Sequence, residues 1–111
     1  MEELIENAEE FIASAEDNIK KERWNAAVAD FFRAIANLCD YLIYKEIKII
    51  PKNHAERFDL LKKYFINIFE RVDKLFEKYR ESYNLRMKEE DARMLKSYVE
   101  ELKNAIRENK E

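Results

Sequence analysis

Apolar side chains recur along this chain at three- and four-residue steps from near the first residue to near the last, and that period predicts helices throughout. The densest stretch runs from Trp24 to Ile50. Trp24, Ala27, Val28, Phe31, Ala34, Ile35, Leu38 and Leu42 form one stripe, and Phe32, Cys39, Tyr41 and Ile43 widen it around the wheel. The pattern predicts a central helix, buried on several sides and running to about Lys48. Ile49-Ile50-Pro51 stops it, because proline has no backbone N–H to donate and disfavours helix in the residue before it. Ahead of it, residues 2–21 read as an amphipathic helix with Leu4, Ile5, Ala8, Phe11, Ile12, Ala15 and Ile19 on one face. Glu2, Glu3 and Glu6 lie near its positive end and Lys20, Lys21 and Arg23 near its negative end, as the macrodipole favours. That helix ends near Glu22, and Asn25 is a candidate N-cap for the next.

Residues 49–53 connect the central helix to a third segment capped by Asn53, with a stripe of Phe58, Leu61, Phe65, Ile68, Val72, Leu75 and Tyr79. Uninterrupted from 54 to 83, it would be about 45 Å long at 1.5 Å per residue. A domain of this size is narrower than that, so the stripe predicts a bend or break between Phe65 and Phe69. Residues 84–87 lead to a last helix, 88–109, with Ala92, Leu95, Val99, Leu102 and Ile106 inward and Glu89, Glu90 and Asp91 in its first turn. Phe31, Ile35, Leu38 and Leu42 are expected in the core, between the first helix and the 58–79 stripe. Glycine is absent and Pro51 is the one proline, which removes the usual hairpin signals. The fold expected is all-α: an up-and-down bundle of four to five helices, one domain over residues 1–111.

Charge narrows the function. With 24 acidic and 21 basic residues, a net −3, the chain has no global field for nucleic acid or an anionic membrane, although a local basic patch remains open. Cys39 has no partner for a disulfide, and this suits a reducing compartment, the cytoplasm. No apolar run approaches the roughly 20 residues that span a bilayer, and the acidic start is unlike a signal peptide. Without glycine there is neither a P-loop nor a dinucleotide fingerprint. Ser14, Ser82 and Ser97 have no His beside them to act as base, and one His with one Cys does not make a zinc site. No cofactor and no metal is expected.

Two features carry candidate chemistry. His54, at the start of the third helix, reads either as a cap or loop hydrogen-bonding residue, or as an imidazole that contacts RNA or moves a proton opposite Arg80 or Lys78. Tyr79, Arg80, Tyr83, Arg86 and Lys88 read either as tyrosines at the core edge with solvated cations, or as a surface that stacks bases and contacts phosphates.

The order of these pieces resembles the HEPN family of helical domains. The resemblance rests on the amphipathic first helix, then Trp24-Asn-Ala-Ala-Val-Ala-Asp-Phe-Phe-Arg-Ala-Ile-Ala-Asn-Leu38, then a proline-containing loop and His54 in Pro51-Lys-Asn-His54. It continues in Lys78-Tyr-Arg-Glu-Ser-Tyr83, which is similar to the family's Arg-x-x-Ala-Asp-Tyr element, and in a final helix opening Glu89-Glu-Asp-Ala-Arg-Met-Leu. The resemblance implies a binding or regulatory module, the HEPN partner of a small nucleotidyltransferase in a toxin–antitoxin-like pair, with RNA or a nucleotide as ligand. It also implies a homodimer with the Phe76–Tyr83 segments facing across a two-fold axis. A central helix with more apolar surface than three segments can cover argues for the same dimer.

Ribonucleases of the family carry an Arg followed four to six residues later by His, and this chain has no such pair. Lys78 stands at the Arg position, Tyr83 at the His position, and Ser82 replaces the Asp. A phenol with its ordinary pKa of about 10 is a poor base at neutral pH, so the expectation is a non-catalytic protein. The alternatives are a ribonuclease with a diverged site of His54, Lys78, Arg80 and Tyr83, and a structural helical adaptor.

Overall fold

The computed structural model describes residues 1–108. Its helices are α1 (Glu2–Lys20), α2 (Trp24–Ile47), α3 (His54–Tyr64), α4 (Ile66–Glu81) and α5 (Glu89–Glu108). The expected end of the last helix at Asn109 lies outside the described residues. The chain forms an all-α bundle with a radius of gyration of 13.4 Å and extents of 38 × 24 × 21 Å.

Helix α2 is the axis, as its all-round apolarity requires. Thirteen of its 24 residues are buried, and α1, α3, α4 and α5 all pack against it. The four long helices alternate in direction. α1 and α2 form a hairpin in which Asp30 Oδ2 accepts from Ser14 Oγ and Asn18 Nδ2. α5 runs against α1 through Glu16–Lys96 and Glu9–Lys103, and against α4 through Lys78–Asp91 and Arg71–Glu101. Ion pairs this exposed contribute about 1 kcal/mol or less each; the apolar stripes hold the bundle. Residues 48–53 double back along α2, so the short α3 runs in the same direction as α2.

Phe31, Ile35, Leu38 and Leu42 are 0, 0, 1 and 4% exposed. Their surroundings add a third wall to the two expected, α1 and the 58–79 stripe. Leu38 lies with Ile5 and Ile106 at the seam of α1 and α5, and Leu42 lies with Phe65 and Ile106. α5 therefore supplies a wall of the core. Because one chain already encloses α2, an uncovered central helix gives no support to a dimer.

Phe65 separates α3 from α4 with φ −142° and ψ 63°, within the span where the length of a straight helix demanded a break. Phe65 N–H still donates to Leu61 O, and Phe69 N–H donates to Phe65 O. The interruption thus leaves these backbone groups satisfied while Phe65 turns toward Tyr41 and Ile106.

The helix ends are built without glycine. After α1, Glu22 adopts φ 57°. Its N–H donates to Ile19 O and Arg23 N–H donates to Asn18 O, the double bond of a Schellman motif with glutamate where glycine is usual. Lys48 takes φ 60° at the end of α2 and its N–H donates to Tyr44 O. Asn53 caps α3 as expected, its Oδ1 accepting from Glu56 N–H at 2.9 Å. At the start of α5, Asp91 Oδ2 accepts from Lys88 N–H at 2.8 Å, half of a capping box.

Asn25 corrects the expectation that it caps α2. The N-cap is Arg23, which makes no side-chain bond. Asn25 reaches across the bundle instead. Its Nδ2 donates to Ser82 O and Leu85 O, and its Oδ1 accepts from Met87 N–H. One side chain thereby satisfies three backbone groups of the α4–α5 loop and fixes its path.

A residue bearing a Cβ in the left-handed region costs roughly 1 to 2 kcal/mol, part of which glycine returns as backbone entropy in the unfolded chain. Glu22→Gly is therefore expected to stabilise the protein by about 0.5 to 1 kcal/mol, seen as a higher urea midpoint at unchanged slope.

Candidate functional site

The chemistry of this molecule gathers where α2, α3 and α4 meet. A carboxylate on the buried side of α2 needs a counter-charge with hydrogen-bond geometry, and α3 brings one. Arg57 Nε donates to Asp40 Oδ1 at 2.7 Å and Nη2 donates to Asp40 Oδ2 at 2.9 Å. Both residues are buried, at 9 and 5% exposure. Arg57 has a further nitrogen, Nη1, which lies 2.6 Å from His54 Nδ1. A guanidinium nitrogen only donates, so Nδ1 accepts and the imidazole carries its proton on Nε2. Asp40, Arg57 and His54 form one relay from the core to the surface.

The imidazole sits among aromatic rings. Phe76 is 5.2 Å away between centroids, Phe32 and Phe58 are each 6.2 Å away, and Tyr79 is 6.5 Å away. Loss of solvation beside these rings lowers the His54 pKa from its ordinary 6.5, the Arg57 charge lowers it further, and Asp40 opposes both. His54 is neutral at pH 7. Two expectations are corrected: Asn53 does the capping in place of His54, and the cation beside the imidazole is Arg57, from the same helix, where Arg80 or Lys78 was expected.

Helix α4 supplies the second half. Tyr79 stacks on Phe32 at 4.8 Å and 17°, and its hydroxyl lies 2.7 Å from that of Tyr83. The Tyr83 ring meets Tyr79 edge-on at 5.4 Å, and Tyr83 is 69% exposed. Burial raises the Tyr79 pKa, the hydrogen bond to Tyr83 raises it further, and Arg33 opposes. A phenol shifted upward is a weaker base precursor still. Arg80 lies over the Phe76 ring at 5.8 Å and 3.6 Å from Glu77. Lys78 is engaged by Glu81 and Asp91 at 3.3 and 3.4 Å. The Glu81 hydrogen bond leads in raising its pKa, against some desolvation. Arg86 joins a different group, lining a shallow depression with Glu22, Arg23, Trp24, Asn25 and Ala26.

Of the candidates, then, His54, Tyr79 and Tyr83 share one aromatic face with Arg80 beside it. Lys78 is committed to the start of α5, and Arg86 belongs with the α1–α2 turn. The acids Glu89, Glu90 and Asp91 serve α5: Glu89 pairs with Arg93, and Asp91 caps. Among the described residues no three His, Cys, Asp or Glu side chains converge as metal ligands. Cys39 is fully buried, and burial followed by the nearby Asp40 pushes its thiol up to about 12. It is no nucleophile at neutral pH. The face can stack planar groups and donate hydrogen bonds from His54 Nε2 and the tyrosine hydroxyls. It lacks an acid–base pair.

Reading the sequence for function missed Asp40 and Arg57. A signal was present: Asp40 stands between Cys39 and Tyr41 in the most apolar stretch of the chain, where a carboxylate demands a partner. Comparison of the chain with protein-family models, with curated proteins and with solved structures gives no match in any of the three.

Removing one member of the buried pair strands the other. Asp40→Asn or Arg57→Met is expected to cost about 3 to 5 kcal/mol. The double variant Asp40→Leu/Arg57→Met recovers most of that loss, as urea denaturation of the three proteins would show.

Proposed function

We propose that this chain is a HEPN-like binding and regulatory module. In this reading it acts in the cytoplasm as the HEPN partner of a small nucleotidyltransferase, in a toxin–antitoxin-like pair, and does not itself cleave RNA. The observation that carries the reading is the state of His54. Its Nδ1 is occupied by Arg57, and Lys78, at the position of the family's arginine, is drawn to Glu81 and Asp91. General acid–base cleavage needs a free imidazole lone pair and a partner within reach. Neither is at hand, whereas an aromatic face with oriented donors suits binding.

Two tests apply. The purified protein should degrade RNA no faster than its His54→Ala variant, and it should co-elute with a nucleotidyltransferase encoded beside it. Cleavage abolished by His54→Ala would promote the ribonuclease alternative; failure to co-elute would leave an adaptor.

One observation favours RNA or a nucleotide as ligand. The exposed Tyr83 ring, braced by Tyr79, is a stacking platform with Arg80 nearby, and base stacking on an aromatic contributes about 1 to 3 kcal/mol. The same reading includes a homodimer with the Phe76–Tyr83 segments of two copies facing each other, which doubles that platform. Light scattering at micromolar concentration should give twice the 13.5 kDa chain mass. A single-chain mass at every concentration would remove the dimer.

A further inference from the structure

The inward-facing residues of α3 do not match the rest of the bundle. Its buried positions are Arg57 and Leu61 alone, so one of its two full anchors is an ion, where α5 has six buried residues, none of them charged. Phe58 and Leu60 add partial burial. The hold of α3 on α2 therefore depends on the polar relay to an unusual degree, and the outer member of that relay is an imidazole, whose ordinary pKa of 6.5 lies close to neutrality.

From this geometry we infer that His54 is an acid-sensitive clasp: protonation of its imidazole frees the first turn of α3 from α2 and uncovers the aromatic cluster beneath it. Three consequences of the positive charge act together. The Nδ1 that accepts from Arg57 Nη1 becomes a donor, so a 2.6 Å hydrogen bond turns into an opposition of two donors. Two cations are placed side by side. The charge also sits on the first residue of α3, where the macrodipole disfavours it.

The titratable and charged groups facing the imidazole are Asp40 from α2, Arg57 from α3 and Tyr79 from α4. Only Asp40 could offset the new charge, and both its oxygens already accept from Arg57. The sign follows from the lowered pKa. Stability contributed by neutral His54 is present above the ordinary 6.5 and is lost as pH falls through the folded-state value. The turn that loosens covers Phe32, which is 1% exposed, together with Phe76 and Tyr79. Acidification thus converts a filled aromatic seam between α2 and α4 into an open one. This inference is independent of any nucleotidyltransferase partner.

The test is made by NMR on the intact chain. Long-range proton–nitrogen spectra should show His54 protonated on Nε2 at pH 7.5 and titrating below 6.5. Amide exchange should show the protection of Glu56 and Arg57, both bonded to Asn53, falling between pH 7.5 and 5.0 after correction for intrinsic exchange. The protection of α5 amides should not change. His54→Asn keeps an acceptor but cannot take a proton in this range, and it should abolish the pH dependence. An Nδ1-protonated imidazole, titration at or above 6.5, or the same loss of protection in His54→Asn would each overturn the clasp.

Discussion

A helix that is apolar on nearly every face has to be enclosed, and the rest of this structure follows from enclosing α2. No single neighbour can do it, since a helix pair buries one stripe of each partner. α1 covers one side through a tight hairpin, α5 runs parallel to α2 on another, and α3 with α4 closes the remainder. Residues 48–53 turn back along α2 because continuing outward would leave Phe32 and Asp40 bare. Phe65 breaks the next segment for the same reason, as a straight 45 Å rod could not stay on a body 38 Å long.

Within that enclosure, apolar burial supplies the stability and the buried Asp40–Arg57 ion pair constrains the arrangement. Fully burying a side chain such as Phe31, Ile35 or Leu61 is worth about 1.5 to 3 kcal/mol, and several such residues line α2. The Asp40–Arg57 pair contributes little net stability after desolvation. Sliding α3 by one residue, however, would leave a carboxylate and a guanidinium buried and unmatched. The pair therefore penalises wrong registers of α3 more than it favours the right one. His54 inherits that alignment: its ring is oriented because Arg57 is.

Periodicity made the helices legible to within a residue or two, because a 3.6-residue repeat is local and survives in a single chain. The break near Phe65 was legible from length alone. Which helix covers which face of α2 was not, since a stripe records that a side is buried but not by what; α5 reaches Leu38 and Leu42, for which the pattern had named α1 and the 58–79 stripe. The candidate site was half legible. Tyr79, Tyr83 and His54 stood out by residue type and do meet on one face. Asp40 and Arg57 did not, because a charge in a helix is read as solvated unless its neighbours on the wheel are weighed. Asn25 was misread for a related reason: a cap is a local motif, and its actual partners lie 57 to 62 residues away.

The central position of α2 has a consequence for how the chain is made. α2 leaves a ribosome well before one of its walls, α5, has been made. At about 5 to 20 residues per second, the stretch from Ile47 to Glu89 takes about 2 to 8 s to synthesise. During those seconds α2 has α1 as its first cover, and its sticky side faces whatever is near. Synthesis thus opens a recurring window in which a folding helper, or a neighbouring nascent copy, competes with α3, α4 and α5 for the same surface.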